Sequence, residues 1–121
     1  HYLNLIRQPF NVNSLAQVAA CAALHDDDHF QKTLQVVAEG RDYLYQELQC
    51  SGIAYVPTQS NFLMVRIGKD CDEVYERMLR RGVVIRPLSS FGFQEYIRVT
   101  VGTREENERF IKALREVLVS L

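Results

Sequence analysis

The chain has 121 residues, a formal net charge of −1, 47% hydrophobic residues and 24% charged residues. A length like this buries roughly two-thirds of the unfolded surface, so one globular domain forms without disulfides or a structural metal. Near-neutral charge excludes the electrostatic footprint of a nucleic-acid or polybasic membrane binder.

The longest weakly polar stretch, Ala16 to Leu24, is far short of the ~20 apolar residues of a membrane span. No cleavable signal segment is expected from the first residues. Cys21, Cys50 and Cys71 are odd in number and lack C-x-x-C spacing, which predicts reduced thiols in a cytoplasmic protein. Of the fourteen basic residues, three are lysines, Lys32, Lys69 and Lys112, so any lysine chemistry must come from them.

His1 to Phe10 show no clean period and end in Gln8-Pro9-Phe10, where proline forces Gln8 away from helical geometry. Asn13 or Ser14 then caps a helix running to about His25, with Leu15, Val18, Ala19, Ala22 and Ala23 on a face of mostly small side chains suited to docking. After Asp26-Asp27-Asp28 a second helix is predicted to about Cys50, burying Phe30, Leu34, Val37, Tyr45 and Leu48 and stopped by Ser51-Gly52.

The period then changes. Ile53 to Val56 and Phe62 to Ile67 read as strands around Pro57-Thr58-Gln59-Ser60, the second with Leu63, Val65 and Ile67 alternating against Phe62, Met64 and Arg66. Asp70 and Glu73 start a helix that carries Val74, Met78 and Leu79 inward and ends at Gly82. Val83 to Leu88 is predicted as a strand, Ser89 to Gln94 as a loop and Tyr96 to Val101 as another strand. Thr103 and Glu106 make a capping box for a last helix burying Phe110, Ile111, Leu114, Val117, Leu118 and Leu121. The sum is an α+β fold: two N-terminal helices, then β-β-α-β-β-α, with helices on one face of a mainly antiparallel sheet.

Four constellations bear on chemistry. His25-Asp26-Asp27-Asp28-His29 has metal-ligand spacing if helical, but aspartates start helices rather than occupy their interiors, which makes it a solvated turn and predicts no metal site. Cys71 sits at a helix start, which favours a thiolate, yet Asp70 and Asp72 oppose the charge; Cys21 and Cys50 read as packing residues. The interleaved charges around Glu76-Arg77-Arg80-Arg81 and Arg104-Glu105-Glu108-Arg109 read as solubilising pairs. In Tyr96–Val101, alternation puts Ile97, Val99 and Val101 on one face and Tyr96, Arg98 and Thr100 on the other. Arg98 at this strand's centre, and Arg86 between Ile85 and Pro87, either snorkel to water from an open sheet face or present two guanidinium forks to a carboxylate or phosphate.

Arg7-Gln8-Pro9-Phe10-Asn11-Val12-Asn13-Ser14-Leu15-Ala16-Gln17, Ser60-Asn61-Phe62-Leu63, Arg80–Pro87 and Tyr96–Asn107 together resemble the C-terminal part of the histidinol-phosphate aminotransferases, a family of class II, fold-type I pyridoxal-phosphate enzymes. The resemblance spans essentially the whole chain; relatives acting on aromatic amino acids or threonine phosphate share similar segments. It implies an enzyme of histidine biosynthesis that moves an amino group between L-histidinol phosphate and 2-oxoglutarate, as a cytoplasmic homodimer. Arg98 then matches the family's clamp on the substrate anion, and Arg86 a second arginine supporting it.

The family's Schiff-base lysine lies in a Ser-Lys motif upstream of the Arg-Gln-Pro-Phe segment, and none of Lys32, Lys69 or Lys112 matches it. The resemblance therefore implies that residues 1–121 are the small domain, with residues 1–26 as the interdomain helix region. Such a chain would hold no catalytic or cofactor-binding residues, bind no pyridoxal phosphate alone and be inactive without its large domain. The uneven start and the alanine-rich first helix fit a chain cut from a larger body. A free-standing small-molecule binding or regulatory module is the alternative.

Overall fold

The computed structural model describes residues 11–121; the sequence expectations for His1 to Phe10 lie outside them. The chain divides into two compact units between Leu34 and Gln35.

In the first unit, helix α1 spans Ser14–Ala23, and the Asn13 side chain accepts a hydrogen bond from the Ala16 amide at 2.9 Å. Helix α2, Asp27–Cys50, begins where the Asp26 carboxylate accepts from the His29 amide at 2.9 Å, so the aspartate run is a turn and helix start as expected. Burial is not as expected. Phe30 and Leu34 are exposed, like Leu15, Val18 and Leu24. The small side chains of α1 cannot enclose large neighbours, and α1 buries none of its own residues.

The second unit holds the core. Its part of α2 buries Gly40, Leu44 and Leu48, an i, i+4, i+8 stripe, with Tyr45 half-buried beside it. Of the predicted stripe, Leu48 is buried and Val37 and Tyr45 are half-buried; Gly40 and Leu44 join it because the helix comes close to its neighbours at a glycine. A Cβ on Gly40 would lie 2.7 Å from Val101 Cγ1 and 2.8 Å from Asn107 Nδ2.

Four strands follow: β1 (Ala54–Val56), β2 (Phe62–Arg66), β3 (Arg86–Pro87) and β4 (Tyr96–Thr100), paired in the order β1-β2-β4-β3 with every neighbour antiparallel. Helices α3 (Cys71–Arg80) and α4 (Arg104–Val119) complete the unit. Leu63, Val65, Ile97 and Val99 point into a core shared with Val74 and Met78 of α3 and Phe110, Ile111, Leu114 and Val117 of α4. Phe62, Arg66, Arg98 and Thr100 alternate onto the exposed face. The predicted α+β architecture is thus observed.

Two predicted strands lose their first residue to the cap of the preceding helix. At the end of α3 the Gly82 amide donates to Leu79 O and the Val83 amide to Met78 O; at the end of α2 the Gly52 and Ile53 amides donate to Gln49 O and Leu48 O. These paired bonds are the closing pattern of a helix ending in a left-handed glycine, and Gly82 has φ +72°. The helix caps use the Ile53 and Val83 amides, so neither joins the sheet. Of the expected strand Val83 to Leu88, Arg86 and Pro87 pair with β4.

Asp70 caps α3, its Oδ1 accepting from the Asp72 and Glu73 amides at 2.9 and 3.1 Å. Glu73 does not reciprocate but pairs with Arg77 at 2.6 Å. Leu79, expected inside, is exposed, because Cys71, Val74 and Met78 already define the buried stripe. The Thr103–Glu106 capping box at α4 is present in both directions. Among the described residues, no helix is long and apolar enough to cross a membrane.

Candidate functional site

Strand alternation and the β3–β4 register bring the two sequence-predicted arginines together. Arg86 and Arg98 are directly opposed Cα partners across the ladder, and both are exposed. Like charges facing each other on a sheet are unfavourable, so the pair presents concentrated positive charge. They share a groove of about 590 Å³ with Asp72, Tyr75, Ser89 and Thr100.

A third arginine on this face behaves differently. Arg66 donates through Nε and Nη2 to one Glu95 carboxylate oxygen, at 3.0 and 2.9 Å. That pair holds the Arg66 guanidinium more firmly protonated than usual, chiefly through the hydrogen bond to Glu95. Arg86 and Arg98 take part in no ion pair among the described residues. The carboxylate in their groove, Asp72, accepts a hydrogen bond from the Ser89 hydroxyl at 3.0 Å. Two forks of N–H donors on adjacent rigid strands suit bidentate capture of a carboxylate or phosphate.

Sequence reasoning missed the aromatic rings beside these arginines. The Arg98 guanidinium carbon lies 5.1 Å from the Phe62 ring centroid, and that of Arg86 lies 5.5 Å from the Phe91 centroid. The first contact follows from the β2–β4 register, in which Phe62 opposes Thr100, two residues beyond Arg98. Alternation had put Phe62 and Arg98 on the outer faces of their strands, but only the pairing makes them neighbours.

The other constellations are placed as follows. Among the described residues no three His, Cys, Asp or Glu side chains cluster as a metal site. His25 Nδ1 instead donates to the Cys21 carbonyl at 2.8 Å. Cys71 is buried, and its thiol faces the Phe93 carbonyl at 3.8 Å. Cys21 and Cys50, expected to pack, are exposed; Cys50 lies two residues beyond Leu48 and turns off the buried stripe of α2.

Lys32, Lys69 and Lys112 are all exposed, and none lines the arginine groove. No residue of that groove offers the amine that an imine to pyridoxal phosphate requires. The two guanidinium groups give the groove a charge suited to an anion.

The histidinol-phosphate aminotransferase of Moorella thermoacetica is 52% identical over 116 residues, covering 96% of this chain and 30% of the relative. That of Symbiobacterium thermophilum is 46% identical over 112 residues, 93% of this chain and 31% of the relative. The crystal structure of histidinol-phosphate aminotransferase from Sinorhizobium meliloti, in complex with pyridoxal-5'-phosphate, superimposes with a TM-score of 0.77 at 28% identity, over 98% of this chain and 34% of that one. The chain thus spans about 30% of the length of the curated relatives it matches. The family model for aminotransferase class I and II matches residues 1–114, and with that match over nearly the whole sequence the chain belongs to the class I and II aminotransferases.

Proposed function

We propose that residues 1–121 act as the small, C-terminal domain of a histidinol-phosphate aminotransferase, with residues 1–26 as the interdomain helix region and Arg98 and Arg86 as the substrate-anion clamp. The observation that carries this is the opposed arginine pair, which joins no ion pair among the described residues, in a chain 52% identical to a histidinol-phosphate aminotransferase. The reaction moves an amino group between L-histidinol phosphate and 2-oxoglutarate, giving imidazole-acetol phosphate and glutamate. The large domain of a cytoplasmic homodimer would supply pyridoxal phosphate and the lysine that binds it. The part of this chain is positional. Arg98, at the centre of β4, takes the substrate phosphate or carboxylate in bidentate fashion, and Arg86 adds a second fork across the ladder. One clamp accepting either anion lets both half-reactions use the same site.

Titrating the chain with L-histidinol phosphate and with L-histidinol separates the anion from the rest of the substrate. The phosphorylated compound should bind at least about tenfold more tightly, and Arg98→Gln should erase the difference, since charge-assisted bidentate contacts are among the stronger polar ones. Equal binding of the two compounds sinks the assignment. A free-standing regulatory module would instead bind some other small molecule tightly with both arginines replaced.

A further inference from the structure

We propose that Phe62 and Phe91 are positioning residues for the anion clamp, each holding one guanidinium by a cation–π contact that leaves the arginine's donors and charge available. This rests on the assignment of Arg98 and Arg86 above. The contrast with Arg66 carries it. On one sheet face, Arg66 is held by a carboxylate that takes two of its N–H donors, whereas Arg98 and Arg86 are held by ring faces at 5.1 and 5.5 Å. Both distances lie within the ~6 Å at which a ring quadrupole attracts a cation. A carboxylate support would neutralise the arginine and compete with an incoming anion. An aromatic support fixes the plane of the fork and does neither. It also limits the drift of two like charges that face each other and would otherwise swing apart.

The backbone that carries each ring is itself held. Phe62 stands on β2 and is held by the β2–β4 ladder. Phe91 closes the short turn Ser89–Phe91, where its amide donates to Leu88 O at 3.0 Å, and Phe93 donates to the same oxygen at 3.1 Å. The Ser89 hydroxyl ties the turn to Asp72. Each aromatic support thus comes from an element other than the strand that carries its arginine.

The test is a titration of the 121-residue chain with inorganic phosphate, following the arginine Nε–H signals by nuclear magnetic resonance. Phe62→Leu and Phe91→Leu should each weaken phosphate binding by about two- to five-fold, the effect of losing an exposed cation–π contact. Phe62→Tyr, which keeps the ring face, should bind like the parent. The Arg98 Nε–H signal should also lose its ring-current displacement in Phe62→Leu but not in Phe62→Tyr, a change that general loosening of the sheet does not produce selectively. Parent-like phosphate binding by either leucine variant overturns the assignment of that ring. If Phe62→Leu fails to fold, Phe91→Leu decides, because Phe91 is 60% exposed and outside the core. Arg98→Gln is the separate control: loss of binding there with both leucine variants unaffected removes the aromatic supports and leaves the arginine clamp standing, whereas undiminished binding removes both.

Discussion

The Asn107 side chain hydrogen-bonds both backbone groups of one residue, Gly102: its Oδ1 accepts from the Gly102 amide at 3.0 Å and its Nδ2 donates to the Gly102 carbonyl at 2.9 Å. Asn107 is the buried polar residue of the described core. The contact fixes the chain where it leaves β4, the strand that carries Arg98, and enters α4. Replacing Asn107 by alanine strands two half-buried peptide groups, at a cost of about 1–3 kcal/mol. Urea denaturation of Asn107→Ala should show that loss as a lower midpoint; an unchanged midpoint would mean water satisfies Gly102.

Gly40 sets two opposing effects against each other. Alanine in place of a helix-interior glycine normally adds about 1 kcal/mol. Here its Cβ would meet Val101 Cγ1 at 2.7 Å, Asn107 Nδ2 at 2.8 Å and the Gly102 carbonyl oxygen at 3.2 Å. Those neighbours are packed and hydrogen-bonded, so overpacking should win by about 1–3 kcal/mol. Thermal denaturation of Gly40→Ala is expected to show a lower Tm, and a rise would mean that α2 shifts outward at little cost.

Arg98 should illustrate function held at the expense of stability. It faces Arg86 directly, and neither takes part in an ion pair among the described residues; opposed like charges on a sheet cost up to roughly 1 kcal/mol. Arg98→Gln keeps most of the stem and removes the repulsion, so its Tm in phosphate-free buffer should equal or exceed that of the parent. Added phosphate should raise the Tm of the parent and leave that of Arg98→Gln unchanged. A marked fall in Tm on substitution, without phosphate, would show that the guanidinium is structural.

Tyr43 gives an alkaline signature. The Arg104 guanidinium carbon lies 3.8 Å from its ring centroid, and the phenol is pushed above its ordinary value, first by burial and then by Glu47 and Glu108. A phenol that ionises less readily in the folded chain than in the unfolded one stabilises the fold while protonated. Its contribution is complete below the unfolded value of about 10 and is lost as pH rises through the raised folded value. Stability measured above about pH 10 should therefore fall less steeply in Tyr43→Phe than in the parent. Identical alkaline slopes would remove Tyr43 as a source of that dependence.

The sequence by itself determined what depends on residues a few positions apart. Thr103 and Glu106 specify the start of α4, Asp70 that of α3, and Gly52 and Gly82 the helix ends, because capping groups and the backbone they satisfy are local. Period-two alternation likewise set the inward and outward sides of β2 and β4, and so placed Arg98 on an outer face. The tertiary structure decided which distant residues meet. Leu63 and Met78 are buried while Phe30 and Leu79 are exposed, because an apolar stripe becomes core only where another element covers it. Arg66, Arg86 and Arg98 look alike in the sequence, yet Glu95, 29 residues along the chain, neutralises the first. Strand pairing sets the other two against each other beside Phe62 and Phe91. Charge and donor capacity are properties of a residue, but whether they remain available to a ligand depends on neighbours that the fold brings from far along the chain.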